Sequence, residues 1–514
     1  MAISGGRPEQ AGGAGVSGRP AAGAAVVVIG GGVAGIAAAL DCARGGARVT
    51  LVEVRPRLGG AAYSFEREGL ELDNGQHVFL RCCSAYRSFL ADLGSERLVA
   101  VQERLEIPVL APGGLRTRIA RSSLPAPAHL AGALLRFRLL SPAARLRAAL
   151  AMRALADVDP AAPANDDVAF GEWLAAHGQG ESEQRDLWEL IVLAILNVPV
   201  AEASLALAAF ALQTALLGDR AAADIGFHEA PLGRVIGEPA NRRLAQLGVE
   251  LRLGVRAQSL MRTDAGDYRV GLIASGSARQ ELAGDAVIIA LPHARAAALL
   301  EAPAGISGPG AERLAGLARS IAALRSAPIV NLHVIYDRPV SELRFFAGAR
   351  SPVQYVFDRS EALGLQAGRY LAVSLSCARA EMAMSAQDLR GRYLPALEQL
   401  LPRARAARVE AFHISREHAA TFAALPGAGA LRPGPATPLP GLYLAGAYTA
   451  TGWPATLEGA VRSGRAAAQM ALAQLGRSPA LRTAQGAATG APAQADRRTP
   501  SPAGAPAQRE QESR

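Results

Sequence analysis

Short apolar runs bounded by glycine predict buried strands that alternate with helices near the start of the chain. The run AVVVIG (25–30) is apolar throughout, as is typical of a strand buried in a parallel sheet. A glycine turn follows it, and then an alanine-rich segment predicts a helix that ends at Gly45. The run ARVTLVEV (47–54) predicts the next strand. This strand–turn–helix–strand order, over about 30 residues, indicates the first unit of an α/β domain.

The rest of the chain shows further strand and helix patterns. Strands are predicted at VELRLGVRAQSL (249–260), YRVGLIA (268–274), DAVIIALP (285–292) and GLYLAGAY (441–448). A glycine-rich turn and a predicted helix, GAVRSGRAAAQMALAQL (459–475), follow the last of these. Residues 125–222 have a mostly helical pattern, whereas 326–376 contain several strand-like runs. Both ends, 1–23 and 475–514, are rich in small and polar residues and predict disorder.

Composition excludes some classes of protein. The 514 residues, half of them apolar, suffice for roughly two to four domains with a large core. Residues 20–40 are uncharged, but the three glycines at 30–32 argue against a membrane span, and Pro199 and Glu202 interrupt the apolar stretch 190–218. We therefore predict no transmembrane helix. Four cysteines are too few for a disulfide framework, which favours a reducing, cytoplasmic setting.

Positive charge is concentrated in one segment. The net charge is +9, and the chain contains arginine but no lysine. Between Glu106 and Asp157 there is no acid, and the arginines there are Arg116, Arg118, Arg121, Arg136, Arg138, Arg145, Arg147 and Arg153. Because the intervening residues are largely apolar, the segment suits an anionic membrane surface, while a solvated arginine face on ordinary helices is the alternative. Nucleic acid is not a predicted partner, since Phe137 is the only aromatic residue available for stacking.

The glycine turn after the first strand has the spacing of a dinucleotide site. GGGVAG (30–35) fits G-x-G-x-x-G with Gly30, Gly32 and Gly35, and Glu53 lies at the end of the next predicted strand. In such turns the first glycine allows the tight turn, the second lets the backbone approach a diphosphate, and the third allows close helix packing. The helix N-terminus favours the diphosphate charge, and Glu53 would accept hydrogen bonds from the ribose hydroxyls. A glycine-rich turn without a ligand is the alternative.

Two sequence blocks resemble the FAD signatures of the flavin amine oxidase and phytoene desaturase superfamily. They are EVRPRLGGAAYSF (53–65) and GLYLAGAYTATGWPATLEGAVRSGRAAA (441–468). The resemblance implies non-covalent FAD, since the second block has no cysteine. The cofactor-binding residues it implies, besides Gly30, Gly32, Gly35 and Glu53, are Arg57, Gly59, Gly60, Val255, Gly446, Ala447, Thr456 and Leu457. Many members carry an acid where this chain has Ala447, so a ribityl contact is expected to be missing or made by backbone.

The superfamily resemblance also implies the domain organisation. We expect an α/β fold with a discontinuous, Rossmann-like (GR2-type) FAD-binding domain formed by 24–105, 225–300 and 428–474. A mixed α+β substrate domain is expected at 106–224 and 301–427, and its first part is expected to be helical and to face a membrane. The leader 1–23 and the tail 475–514 are expected to be disordered.

Other blocks are similar to the hydroxysqualene dehydroxylase family. They include LDNGQHVFLRCCSAYRSFLADLG (72–94) and TGWPAT (451–456). The resemblance implies that an allylic hydroxyl of a C30 isoprenoid is replaced by hydrogen, giving squalene in hopanoid biosynthesis. Such a reaction needs a hydride from reduced flavin, an acid that helps hydroxide leave as water, and an apolar pocket that excludes water. Residues 189–218 are candidates for the wall of that pocket, and plain core packing is the alternative.

Candidate catalytic residues lie in the 72–94 block. His77 is the candidate general acid, with Asp73 as the second choice, and a structural role is the alternative for both. Asn74, Gln76 and Trp453 are candidate substrate-binding residues. The remaining histidines show no metal-ligand spacing, so no metal is predicted.

Two alternative functions remain open at this point. A carotenoid-type desaturase would move a hydride in the opposite direction, from a polyprene to oxidised FAD, on the same scaffold. A prenyl-lipid carrier on this fold would need no catalysis, and flavin occupancy distinguishes it from an enzyme. The expected location is the cytoplasm, peripherally at the inner face of the membrane. Other squalene-pathway enzymes are candidate partners, and the sequence does not indicate an oligomeric state.

Overall fold

The computed structural model describes residues 23–274, 279–301 and 304–476. The disorder predicted for the leader and the tail concerns 1–22 and 477–514, which lie outside these residues. The strands are β1 (Ala25–Ile29), β2 (Arg48–Glu53), β3 (Ser64–Arg67), β4 (Leu70–Asp73), β5 (Phe79–Leu80), β6 (Val99–Val101), β7 (Glu106–Ala111), β8 (Leu115–Ala120), β9 (Ile225–His228), β10 (Glu250–Leu253), β11 (Val255–Arg262), β12 (Tyr268–Ala274), β13 (Gln280–Gly284), β14 (Ala286–Ile289), β15 (Ser326–Tyr336), β16 (Phe345–Gly348), β17 (Tyr355–Asp358), β18 (Tyr370–Ser376), β19 (Val409–Phe422) and β20 (Leu442–Leu444). The α-helices are α1 (Val33–Arg44), α2 (Ser84–Leu93), α3 (Ala131–Leu135), α4 (Pro142–Leu155), α5 (Pro163–Asp166), α6 (Phe170–Ala176), α7 (Glu181–Glu183), α8 (Glu189–Leu196), α9 (Leu205–Leu212), α10 (Glu238–Gln246), α11 (His293–Leu300), α12 (Pro309–Ala323), α13 (Ala386–Leu400), α14 (Ala428–Leu431) and α15 (Leu457–Gln474).

A five-stranded parallel sheet forms the first half of the fold. Its strand order is β10-β2-β1-β14-β20, and every neighbouring pair is parallel. The strands β1 and β14 are almost completely buried because apolar side chains on both of their faces are covered. The predicted first unit is confirmed: β1, α1 and β2 lie within one or two residues of their expected bounds.

The last helix packs directly on the first. A Cβ added at Gly464 of α15 would lie 2.1 Å from the carbonyl oxygen of Ala34 in α1, so only glycine permits this approach. The C-terminal FAD-like block therefore lies against the helix that follows the glycine turn, although the two are at opposite ends of the chain.

A small antiparallel sheet, β11-β12-β13, follows β10. The single strand expected at 249–260 is in fact two strands, one in each sheet. Gly254 separates them with a φ of 72°, and its N–H donates to the carbonyl of Arg55 at 3.1 Å. The left-handed conformation explains why the chain leaves the parallel sheet at this residue.

A seven-stranded mixed sheet forms the second half of the fold, in the order β19-β15-β18-β17-β16-β7-β8. Alternation along β15 directs Val330, Leu332 and Val334 into a core beneath α13. The other face of β15 carries Asn331 and His333, both fully buried, toward the segment that contains β4.

The segment 106–224 was expected to be helical, and this is wrong for its first part. Strands β7 and β8 form a hairpin, and β7 pairs in parallel with β16, so the hairpin extends the seven-stranded sheet. The sequence LRTRIA of β8 alternates, with Ile119 buried and Arg116 and Arg118 exposed. Helices α3 to α9 follow, and among the described residues no helix is long and apolar enough to cross a membrane.

Candidate active site

The three glycines of the first turn have different steric surroundings. Gly30 has a φ of 112°, and a Cβ there would lie 2.3 Å from the carbonyl oxygen of Ala290. A Cβ at Gly35 would lie 1.9 Å from the carbonyl oxygen of Gly30. A Cβ at Gly32 would meet nothing closer than Gly60 Cα, at 3.7 Å. The fold itself therefore requires Gly30 and Gly35, whereas Gly32 leaves open space at the N-terminus of α1, as a diphosphate needs.

Glu53 ends β2 beside this turn and is almost completely buried. Its carboxylate accepts the N–H of Gly31 at 2.6 Å and the N–H of Arg55 at 2.7 Å. Each carboxylate oxygen has lone pairs left over. The geometry thus fits the expected role of Glu53 as an acceptor for ribose hydroxyls.

The segment 57–60 lies against the glycine turn. The N–H of Gly59 donates to the carbonyl of Gly31 at 2.9 Å, and Gly59 and Gly60 have φ values of 110° and 60°. The guanidinium of Arg57 lies 3.5 Å from the ring centroid of Tyr63, and burial lowers its pKa. The structure therefore brings these residues together with the first turn. Val255 starts β11, immediately after the Gly254 contact with Arg55.

The C-terminal block forms a turn between β20 and α15. Gly446 has a φ of 142°, and its N–H donates to Ser463 Oγ at 2.8 Å. Thr456 caps α15 by accepting the N–H of Gly459 at 3.1 Å, and Leu457 is the first helical residue. Ala447 follows Gly446 and offers only backbone polar groups, so any ribityl contact there would be made by backbone.

Arg432 is a residue of this site that sequence reasoning missed. Its buried guanidinium donates to the carbonyls of Tyr448, Thr449 and Trp453, and burial lowers its pKa to about 10. These bonds fix the loop between β20 and α15. No local motif marks Arg432, because its partners lie 16 to 21 residues further along the chain. Trp453 also contacts Phe210, with ring centroids 5.6 Å apart, so the helical segment touches this loop.

Asn74 connects the two halves of the fold. Its Nδ2 donates to the carbonyl of Ala61 at 2.9 Å and to a carboxylate oxygen of Glu417 at 2.8 Å. Its backbone carbonyl accepts Asn331 Nδ2 at 2.9 Å and Ser415 Oγ at 2.7 Å. Asn331, Ser415 and Glu417 were not predicted. Asn331 was detectable only as a polar residue inside the apolar run of β15.

Two buried polar atoms near Asn74 have no hydrogen-bond partner in the described chain. They are Nε2 of Gln76 and Oδ1 of Asn331. The protein alone shields both atoms from solvent, so they do not face the space that a cofactor would fill. The open space at Gly32 and the remaining lone pairs of Glu53 show that the residues present fit a bound FAD.

Asp73 and His77 both line a cavity of about 230 Å³. Asp73 accepts Ser64 Oγ at 2.7 Å and the N–H of Leu232 at 2.8 Å, and it forms an ion pair with Arg359 at 3.0 Å. The His77 ring makes one hydrogen bond within the described residues, from Nδ1 to the carbonyl of Gly75 at 3.2 Å. Burial lowers the pKa of His77.

His228 supports the backbone of His77 from beneath. Its Nδ1 lies 2.7 Å from the carbonyl oxygen of His77, and its Nε2 lies 2.7 Å from the hydroxyl of Tyr86. Burial lowers the pKa of His228 to about 3, so the ring is neutral at physiological pH.

Residues 189–218 were candidates for a pocket wall, but they do not line this cavity, and most of them are buried in the core. Within the described residues, no group of three or more His, Cys, Asp or Glu side chains could hold a metal ion.

Comparisons with known proteins agree with this geometry. The model of the family "flavin containing amine oxidoreductase" matches residues 33–472. Hydroxysqualene dehydroxylase of Rhodopseudomonas palustris is 31% identical over 418 residues, which cover 80% of this chain and 90% of the relative. Zeta-carotene desaturase of Zea mays is 30% identical over 180 residues, 33% of this chain and 32% of that relative. A putrescine oxidase structure matches with a TM-score of 0.64 and 19% identity, covering 88% of this chain and 99% of the oxidase.

The family match spans both FAD-like blocks and the segment between them, and the putrescine oxidase structure has the same overall fold. The expected α/β architecture and the expected cofactor, FAD, are therefore confirmed. The chain belongs to the flavin-containing amine oxidoreductase family and is an FAD-dependent oxidoreductase.

Proposed function

We propose that this enzyme reduces hydroxysqualene to squalene. The observation that carries the proposal is the similarity to hydroxysqualene dehydroxylase of Rhodopseudomonas palustris, which extends over 90% of that relative. The match to 15-cis-phytoene desaturase of Arabidopsis thaliana covers 70% of this chain and 60% of that relative, but at only 24% identity, and the match to zeta-carotene desaturase of Zea mays is confined to 180 residues. At 31% identity over 80% of this chain, the similarity to the dehydroxylase extends beyond the two FAD-like blocks, and specificity among enzymes of one fold depends on residues outside the shared cofactor site.

The proposed reaction removes a hydroxyl group and adds a hydrogen. When bound and reduced, FAD would supply the hydride that forms the new C–H bond. One proton is then required so that the C–O bond breaks with water as the leaving group, and the flavin ends oxidised. A hydrogen-bonded acid at the hydroxyl would contribute about 10²–10⁴-fold to the rate.

His77 is the residue that we assign as the proton donor. Its Nδ1 is directed to the carbonyl of Gly75, which leaves Nε2 without a partner in the described chain. Protonated His77 would transfer its Nε2 proton to the departing hydroxyl. Asp73 is the weaker candidate because both of its carboxylate oxygens already accept hydrogen bonds from Ser64, Leu232 and Arg359.

An anaerobic single-turnover experiment tests the proposal. The flavin of the purified full-length protein is reduced, hydroxysqualene is added, and flavin reoxidation is followed while the lipid is extracted for mass analysis. We expect reoxidation with one squalene formed per flavin. Recovery of intact hydroxysqualene from a flavin that stays reduced would overturn the proposal.

The second candidate is a carotenoid-type desaturase, which the partial similarity to zeta-carotene desaturase supports. Oxidised enzyme mixed with a polyprene substrate would then become reduced and form a new double bond.

A further inference from the structure

The surface formed by β7, β8, α3 and α4 contains a groove rich in arginine. The groove has a volume of about 560 Å³ and is lined by the hairpin and by residues 129–138. The arginines that line it are Arg104, Arg116, Arg118, Arg121, Arg136 and Arg138. Glu106 is the acid among the lining residues, and it pairs with Arg118 at 2.9 Å. Arg121 pairs with Asp224 at 2.6 Å.

Four arginines of the groove carry charge that the protein does not neutralise. Within the described residues, Arg104, Arg116, Arg136 and Arg138 have no acidic partner, and all four are exposed. Four guanidinium groups around one groove create a site for phosphate groups, to which guanidinium binds through paired hydrogen bonds.

Exposed leucines occupy the same stretch of chain. The four most exposed large apolar side chains in the described chain are Leu135 (70%), Leu146 (64%), Leu150 (61%) and Leu124 (53%). Leu146 and Leu150 lie one turn apart on α4, opposite the face that buries Ala144, Ala148 and Ala151. Leu135 ends α3, which packs on α4. None of the four leucines lines the groove, but Leu135 precedes the groove residue Arg136 and α4 packs on α3. Exposed leucines in the same segment as unpaired arginines are typical of proteins that insert shallowly into a membrane.

We propose that this groove and the four leucines, together named the arginine–leucine surface, bind an anionic phospholipid bilayer. The arginines of the groove contact headgroup phosphates, and the leucines enter the outermost apolar layer. The leucines favour a bilayer over a nucleic acid or another polyanion, which would leave them in water. The proposal does not depend on the reaction that the enzyme catalyses.

The structure also identifies which arginines are unsuitable for a test. Arg145 donates to the carbonyls of Leu135, Phe137 and Leu140 and so holds α3 against α4. Arg147 forms an ion pair with buried Glu183. Substituting either would disturb the fold, so both are left intact.

The test is flotation of the full-length protein with vesicles of phosphatidylcholine alone or with 30% phosphatidylglycerol. One variant carries Arg104→Gln, Arg116→Gln, Arg136→Gln and Arg138→Gln. A second carries Leu135→Ser, Leu146→Ser and Leu150→Ser. In the control variant, four exposed arginines of α10, α11 and α12 are changed to Gln, which alters the net charge equally. They are Arg242, Arg295, Arg313 and Arg319. Retained flavin absorbance and an unchanged melting temperature verify that each variant is folded.

We expect the wild type to bind anionic vesicles and to lose binding at high salt. Since each arginine near a membrane contributes about fivefold, the arginine variant should bind on the order of several hundredfold more weakly. The leucine variant should also bind more weakly, and the control should bind like the wild type. An arginine variant that floats normally, or a control that is equally impaired, would overturn the proposal. A leucine variant with unchanged flotation would overturn the bilayer assignment in favour of a general polyanion site.

Discussion

Gly32 is a single residue at which cofactor binding and folding can be separated. Its φ of −75° and ψ of 175° suit a β-branched side chain, and its Cβ position is open. We expect Gly32→Val to fold normally and to lose FAD, because the side chain would occupy the path of the diphosphate. The ratio of flavin to protein absorbance in the purified variant measures the loss, and circular dichroism monitors the fold.

The matched control is Gly391→Val, because a Cβ there meets no atom within 4 Å and Gly391 lies in α13, away from the glycine turn. This variant should retain its flavin. Gly35→Ala should instead fail to fold, since its Cβ would clash with the carbonyl of Gly30. A Gly32→Val protein that purifies fully yellow would show that the assigned cofactor site is wrong.

His77 provides a second test at the residue scale. Burial lowers its pKa while Asp73 and Glu417 oppose this effect, so the ring is mostly neutral at pH 7. A proton donor must be protonated, and the single-turnover rate should therefore rise as the pH falls, approaching tenfold per unit until it levels below pH 6.5. His77→Gln should lower the rate at pH 6 by about 10²–10⁴-fold and abolish this pH dependence.

The control for His77 is the exposed His177, which lies outside the cavity. His177→Gln should preserve both the rate and its pH profile. If His77→Gln retains the wild-type profile, the proton comes from another group. FAD content is measured in both variants, so that a loss of cofactor is not mistaken for a loss of proton transfer.

At the scale of elements, α2 and α15 are joined by one buried carboxylate. Helix α2 has no side-chain N-cap of its own, and Glu458 of α15 accepts the N–H groups of Ala85 at 3.1 Å and Tyr86 at 2.7 Å. Arg462 donates to the same carboxylate at 2.6 Å. A negative charge at a helix N-terminus is stabilising because of the helix dipole and the free N–H groups.

We expect Glu458→Ala to lower the free energy of unfolding by about 2–3 kcal/mol, because buried N–H groups lose a charged acceptor. Chemical denaturation measures this value. Glu312→Ala is the matched control, since Glu312 is an exposed acid in the first turn of α12, and it should cost less than about 1 kcal/mol. Equal effects of the two substitutions would contradict the assigned role of Glu458.

The elements also show which parts of the fold the sequence could predict. The unit β1–α1–β2 was predicted because glycine spacing and apolar runs are local signals, and the two FAD-like blocks were identified because they resemble the signatures of a known superfamily. The hairpin β7–β8 was missed, since its partner β16 lies far along the chain and its arginines were attributed to helices. The partners of Asn74, namely Asn331, Ser415 and Glu417, come together only through strand pairing in the second sheet. Such long-range contacts leave no local pattern.

At the scale of the whole molecule, the junction between the two large sheets buries histidines that must stay neutral. His333 lies on the face of β15 toward this junction, with Nδ1 2.7 Å from the hydroxyl of Tyr370. His228 lies at the end of β9, below His77. Burial lowers the pKa of His333 and of His228 to about 3 in each case.

These values predict a loss of stability in weak acid. In the unfolded chain each histidine binds a proton below about pH 6.5, whereas in the folded protein it does not do so until about pH 3. The stabilising contribution is therefore complete above pH 6.5 and is lost as the pH falls toward 3. Below pH 6.5 each histidine approaches a slope of about 1.4 kcal/mol per pH unit, so the two should together remove about 3 kcal/mol between pH 6.5 and 5.

The substitution His333→Gln isolates one of these contributions. Glutamine can still hydrogen-bond to the hydroxyl of Tyr370, but it does not titrate. Urea denaturation of wild type and variant at pH 7, 6 and 5 should show a wild-type stability that falls more steeply, by about 1.4 kcal/mol per pH unit. Carboxyl groups whose pKa values burial raises, such as those of Asp41 and Glu189, are present in both proteins, so the difference between the two slopes reports His333. Parallel pH dependences would mean that His333 is protonated in the folded protein, and the junction would then have to admit water or a counter-charge beside the ring.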